Sequence, residues 1–212
     1  MVNNGGVLGP AGIAFGPNQG PSLSNWTTGT ATSANYSIEF YFSFTNTTDF
    51  RKILDFKDRT GDPGLYNFNG ALNFYNFISG PANQILANTL THIVLTRDSG
   101  TNLVTAFVNG NLSFSFNDGT SAGNFTGTGN IMHFFQDDSV TGGNEASAGF
   151  VDFIRIYDHP LNSSEAQALF AAVPEPSTVI LTTLGFGTTL TIALRYRKKR
   201  KHRSKKKEQK II

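Results

Sequence analysis

Oxygen ligands gather at Asp137-Asp138 and, across the turn Thr141-Gly142-Gly143, at Asn144-Glu145. Adjacent carboxylates repel unless something neutralises them, and a hard cation does so by taking carboxylate, amide and carbonyl oxygens together. The same residues also read as a solvated acidic loop. Asp62, in Arg59-Thr60-Gly61-Asp62-Pro63-Gly64, is a second oxygen donor that reads equally as the start of a Pro-Gly turn. Retaining glycoside hydrolysis needs two carboxyls about 5 Å apart across a bond. No Glu-x-Asp-x-x-Glu set supplies such a pair: Glu39 stands alone on its segment, and Asp55 and Asp58 lie across a turn. The chain is therefore expected to be non-enzymatic.

The remaining chemistry is sparse. There are no cysteines, which excludes disulfides, thiol catalysis and thiolate metal sites. His92, His133 and His159 are far apart and show no ligand spacing. Arg51, Lys52 and Arg59 are expected to form structural ion pairs with Asp55, Asp58 and Asp152, with Arg155 on the same segment as Asp152. Tyr66, Phe68, Phe74, Tyr75 and Phe77 crowd one stretch. Most must be core, but a Tyr41, Tyr66 or Tyr75 ring left in solvent would offer a flat apolar face to a sugar ring.

These groups must be positioned by strands. Tyr36–Phe44 alternates strictly, with Ile38, Phe40, Phe42 and Phe44 on one side, as a strand with one buried face does. Strands are also expected at 50–56, 64–68, 71–78, 90–97, 103–108, 112–116, 131–136 and 150–157. Asn109-Gly110 between two of them is a tight-hairpin signal. Eight or nine strands at this spacing, with no helical stretch between them, predict an all-β sandwich of jelly-roll type. One helix is expected at 163–171, capped by Ser163 or Ser164.

Thr91-His92-Ile93-Val94-Leu95-Thr96-Arg97-Asp98 with Thr105-Ala106-Phe107-Val108-Asn109-Gly110 resembles the central hairpin of the laminin-G-like, concanavalin A-like jelly rolls. Phe150–Asp158 with Leu161-Asn162-Ser163-Ser164-Glu165 resembles their last strand and closing helix. The resemblance covers roughly residues 22–170 and implies a jelly-roll domain, placed here at 22–172; residues 1–21 are expected to be a flexible N-terminal segment. The resemblance implies binding of carbohydrate or protein. It also implies Ca²⁺ in a loop at the sandwich rim, for which Asp137, Asp138, Asn144 and Glu145 are the candidates. A purely structural domain with no specific ligand is the alternative, and a glycan-active enzyme a third reading.

The formal charge of +2 conceals two halves. Residues 1–194 hold six basic against fourteen acidic residues, a net of −8, and 195–212 hold eleven basic residues against Glu208, a net of +10. An acidic folded part repels phosphate, so nucleic acid is not an expected partner. The basic end comes after seventeen uncharged residues, Thr178–Leu194, which as a helix would extend about 25 Å. Residues 178–195 are therefore expected to be a transmembrane helix, with 196–212 a basic cytoplasmic tail and the domain outside. Export requires a signal, and Met1-Val2-Asn3-Asn4-Gly5-Gly6 has neither a basic nor an apolar region, so a start farther upstream is expected.

Pro174-Glu175-Pro176 within 173–177, then an apolar span, then a basic cluster resembles the PEP-CTERM sorting signal of bacterial exported proteins. That resemblance implies processing at these residues by an exosortase, a membrane protease-transpeptidase. It also implies an exported protein of the cell surface or matrix in the company of extracellular polysaccharide.

Overall fold

The computed structural model describes residues 2–3, 7–9, 12–27 and 32–173, the first two stretches by backbone alone. Pro174 to Ile212 lie outside the described residues, and with them the Pro174-Glu175-Pro176 motif, the apolar span and the basic tail. Among the described residues no helix is long and apolar enough to cross a membrane.

The described residues form fourteen strands and one helix, in order β1 Val2–Asn3, β2 Val7–Gly9, β3 Gly12–Phe15, β4 Pro21–Leu23, β5 Tyr36–Phe44, β6 Phe50–Asp55, β7 Gly64–Phe68, β8 Ala71–Phe74, β9 Ile78–Ser79, β10 Thr91–Asp98, β11 Leu103–Val108, β12 Asn111–Asn117, β13 Met132–Phe134, β14 Gly149–Tyr157 and α1 Ser163–Ala172. The strands build two seven-stranded sheets, β1-β4-β13-β6-β7-β8-β9 and β12-β11-β10-β5-β14-β3-β2. This is the all-β jelly-roll sandwich with a short C-terminal helix that the alternating pattern predicts. Two hairpins turn on Asn-Gly pairs with positive φ at both residues: Asn69-Gly70 (51° and 84°) and Asn109-Gly110 (49° and 73°). That backbone twist matches the twist of the strands it joins.

The core lies between the sheets. Ile38, Phe40, Phe42 and Phe44 of β5, Ile93 and Leu95 of β10 and Val104 of β11 meet Leu54, Leu65, Leu72, Phe74, Met132 and Phe134 of the other sheet. Edge-to-face rings such as Phe40–Phe134 (5.9 Å, 67°) fill the space.

Three expectations are corrected. β5 is buried on both faces: Ser37 and Glu39 are inaccessible and Tyr41 nearly so. The segment after β14 folds over its outer side, where Ser37 Oγ donates to the His159 carbonyl (2.7 Å) and accepts from Leu161 N–H (2.8 Å). Residues 1–21, read as flexible, supply β1, β2, β3 and the start of β4. Phe15 stacks on Phe135 at 4.5 Å, and a Cβ on Gly20 would overlap the Phe134 carbonyl oxygen, so the backbones meet there only because residue 20 has no side chain. Finally, α1 is capped by Asn162, not Ser163 or Ser164. Asn162 Oδ1 accepts from Ser164 and Glu165 N–H (2.9 and 3.1 Å), and Glu165 Oε2 accepts from Asn162 N–H (2.8 Å). This reciprocal box is joined by a staple, since Leu161 before the cap and Ala166 within the helix share one apolar cluster.

Candidate functional site

Alternation sends Leu65, Leu72 and Phe74 into the core and turns Phe50, Lys52, Tyr66, Phe68 and Asn73 to the outer face of the first sheet. The register sets Phe50 opposite Phe68, Lys52 opposite Tyr66, and Tyr66 opposite Asn73. A register shift between Lys52 and Leu54 lets Ile53 and Leu54 both enter the core. Phe50 and Phe68 stack at 4.2 Å and 22°, while Tyr66 and Tyr75 present their edges to Phe50 at 5.6 and 5.5 Å. Phe50, Phe68 and Tyr75 are half-buried, whereas Tyr66 is fully enclosed and Tyr41 is 7% exposed. Of the three tyrosines considered for sugar contact, only Tyr75 keeps an open ring. Of the two phenylalanines beside it, Phe68 belongs to the crowded aromatic stretch noted in the sequence, whereas nothing in the sequence singled out Phe50. Gly64 leaves room for this packing: a Cβ there would lie 3.0 Å from the Tyr66 ring and 3.1 Å from Lys52 Cδ.

Two loops bring carboxylates to the edge of this platform. Asp138 Oδ1 accepts from Val140 and Thr141 N–H (2.7 and 3.3 Å), and its Oδ2 accepts from Lys52 Nζ (2.5 Å) and the Tyr66 hydroxyl (3.4 Å). Burial alone would raise the Asp138 pKa, but the hydrogen bond and charge of Lys52 outweigh it and hold the carboxyl low. Asp137 Oδ2 accepts from Thr141 Oγ1 (2.7 Å) and Glu145 N–H (2.9 Å), while its Oδ1 is buried with no hydrogen-bond partner among the described residues. Asn144 spends its amide on the Thr141 carbonyl (3.0 Å). Glu145 is half-buried, and burial together with Asp137 and Asp62 raises its pKa. Asp62 accepts from the Tyr66 hydroxyl (3.1 Å). The loop is pinned from the N-terminal segment, where Asn18 bonds Asp137 N–H and the Gly143 carbonyl, both at 2.8 Å.

A calcium shell of six to eight oxygens would need these donors to converge. They do not. Asp137 Oδ2, Asp138 Oδ1 and the Asn144 amide are spent within their own loop, and Asp138 Oδ2 is spent on Lys52 and Tyr66. Among the described residues no group of three or more histidine or carboxylate side chains is placed to hold a metal ion. The positive charge is a side chain: Lys52 Nζ, fully buried, lies against Asp138 Oδ2, 3.5 Å from Asp55 Oδ2, 3.4 Å from the Asp62 carbonyl and 4.6 Å from the Tyr66 ring centre. The expected Ca²⁺ set Asp137, Asp138, Asn144 and Glu145 thus does not fit the ion as arranged.

The profile of the concanavalin A-like lectin/glucanases superfamily matches residues 16–167. The chain belongs to that superfamily. Among solved structures, the CBM40 of the Ruminococcus gnavus IT-sialidase, bound to α2,3-sialyllactose, is 16% identical with a TM-score of 0.54, covering 78% of this chain and 96% of that one. Domain 4 of an extracellular arabinanase from Geobacillus stearothermophilus, in complex with arabinotriose, is 19% identical with a TM-score of 0.52, covering 77% and 79%. A heptameric SAP-like pentraxin from Limulus polyphemus is 15% identical with a TM-score of 0.53, covering 74% and 80%. No curated protein sequence matches. At these identities the structures establish the shared fold.

This superfamily member carries two further buried polar centres, both in the second sheet. On its outer face, Glu39 accepts from Tyr157 OH (2.6 Å) and Arg155 (3.2 Å) and pairs with His92 Nε2 (2.9 Å). Glu39 read as solitary because its partners come from β10 and β14, which only the pairing brings beside β5. Arg155 therefore pairs with Glu39 and not with Asp152. Burial works to raise the Glu39 pKa, but the His92 and Tyr157 hydrogen bonds and the Arg155 charge hold it low; the Tyr157 hydroxyl is pushed up to about 12, by burial first and then by Glu39. α1 approaches this centre, with the Phe170 ring 5.8 Å from His92. The second centre, Arg97 with Asp118, closes one end of the sandwich. Of the other expected ion pairs, Lys52–Asp55 forms, and Asp58 pairs with His133 at 2.9 Å. Arg59 donates instead to the Asp137 carbonyl (2.7 Å) and Arg51 to the Phe50 carbonyl (2.9 Å).

Proposed function

We propose that this jelly roll is a non-enzymatic carbohydrate-binding domain and that the outer face of its first sheet is the binding face. The observation that carries this reading is the half-buried ring platform of Phe50, Phe68 and Tyr75, rimmed by Asp62, Asn73 and Glu145. The C–H face of a sugar ring stacks on aromatic carbons, and carboxylates and amides accept and donate to its hydroxyls. Binding of sialyllactose and arabinotriose by the two bacterial relatives supports the class of ligand and leaves the sugar open.

The proposal places the domain outside the cell. Thr178–Arg195 would be its temporary membrane span and Pro174-Glu175-Pro176 the site that an exosortase-type enzyme processes. Extracellular polysaccharide would then be the accessible ligand. The test is a polysaccharide array with the native chain and with Phe50→Ala/Phe68→Ala. Removing two stacking rings is expected to weaken binding by at least about tenfold, at roughly 1 kcal/mol per ring. Binding of the native chain to no polysaccharide would leave a structural domain without ligand. Undiminished binding by the folded double variant would move the site elsewhere.

A further inference from the structure

We infer that Lys52 is a built-in cation: its ammonium holds the place of a dissociable metal ion at the rim, and removing it turns that place into a divalent-cation site. The inference is independent of what the platform binds.

Lys52 leaves β6 on the outer face, is inaccessible to solvent, and ends among oxygens from three parts of the chain. Asp138 Oδ2 comes from the segment after β13, Asp55 Oδ2 from the end of β6, and the Asp62 carbonyl from the β6–β7 loop. The Tyr66 hydroxyl meets the same Asp138 oxygen and Asp62. Asp55 Oδ2 is buried and accepts no hydrogen bond, so the ammonium at 3.5 Å is its source of compensation. Hard carboxylate, carbonyl and hydroxyl oxygens directed at one positive centre are the donors a divalent cation also takes. What differs is that this cation is covalently tethered.

Tethering has two consequences. The rim is held together without an ion that could dissociate, so chelators should leave it intact. Truncation of Lys52 also leaves more than an empty volume. It leaves two buried carboxylates, one carbonyl and one hydroxyl around the space vacated by three methylenes and an ammonium. Uncompensated buried charge is strongly destabilising, and a divalent ion with its waters is the species that restores both charge and volume.

The experiment compares thermal unfolding of the full native chain, Lys52→Ala and Lys52→Met in EDTA, calcium and magnesium. The native chain is expected to melt at one temperature in all three. Both variants should melt lower in EDTA, by about 10 °C. Calcium should raise the melting temperature of Lys52→Ala progressively with concentration, as linkage requires, and calorimetry should find one calcium per chain. Lys52→Met should not respond, because its thioether side chain fills the volume without restoring the charge. If Lys52→Ala folds only when calcium is present, the inference stands. Stabilisation of the native chain by calcium would overturn it. So would equal responses of the two variants, or a Lys52→Ala chain that ignores calcium or fails to fold with it.

Discussion

Asp118→Ala is predicted to be among the most damaging single substitutions in this domain. Arg97, the largest of its fully buried side chains, donates from Nε to Asp118 Oδ2 (2.9 Å), from Nη1 to the Ala34 carbonyl (2.6 Å) and from Nη2 to Asn102 Oδ1 (3.3 Å). Asp118 also accepts from the N–H groups of Ala122 (2.7 Å) and Gly123 (3.0 Å). Alanine would leave a buried guanidinium without its counter-charge and two amides without acceptors. Breaking such a pair from one side costs about 3–5 kcal/mol. For a domain of this size each kcal/mol lowers Tm by about 2–4 °C, so a fall of about 6–20 °C is expected. Disturbance should spread further, because the Gly123 carbonyl accepts from Tyr36 OH (2.6 Å), whose ring packs on Trp26 and Phe125. The assay is urea and thermal unfolding of the native chain, Asp118→Ala, Arg97→Met and the double variant. The double variant should be more stable than the sum of the singles predicts, since no charge is then stranded. A loss below about 1 kcal/mol for Asp118→Ala, the range of an exposed pair, would refute the reasoning, as would strict additivity.

Glu39→Gln should change the acid limb of stability. The Glu39 carboxyl is held below its ordinary value, so its contribution is fully present above the unfolded pKa of about 4.3 and is lost as pH falls through the lower folded value. Denaturant midpoints should show native chain and variant well separated at neutral pH and converging below about pH 4; a pH-independent gap would contradict this. Asn162→Ala should cost about 0.5–2 kcal/mol through loss of the helix cap, while Ser163→Ala should cost almost nothing, and the reverse order in thermal melts would reassign the cap.

The strands with strong alternation were legible without coordinates. Tyr36–Phe44, Gly64–Phe68 and Leu103–Val108 lie where the pattern puts them, because a period of two with bulky apolar residues leaves one way to bury them. The N-terminal strands were not. Residues 7–23 are short, rich in glycine and proline and lack alternation, and they become strands because β14 and β13 offer them free edges. Val7–Gly9 then completes the sheet by pairing with β3. The acidic rim was half legible. Adjacent like charges at Asp137-Asp138 left a bound cation and a solvated acidic loop both open. That the cation would be Lys52, 86 residues from Asp138, was not legible.

By itself, the sequence determined the class of fold, the main strands, the closing helix and the separation of an acidic domain from a basic end, since these rest on local periodicity and on charge along the chain. Tertiary structure alone decided which residues share a face. The platform of Phe50, Phe68 and Tyr75, the Glu39 centre and the seat of Lys52 each join side chains distant in sequence, and strand order and register set those neighbours. Local propensity carries no information about pairing across a sheet, because any alternating strand satisfies its backbone equally well beside any other.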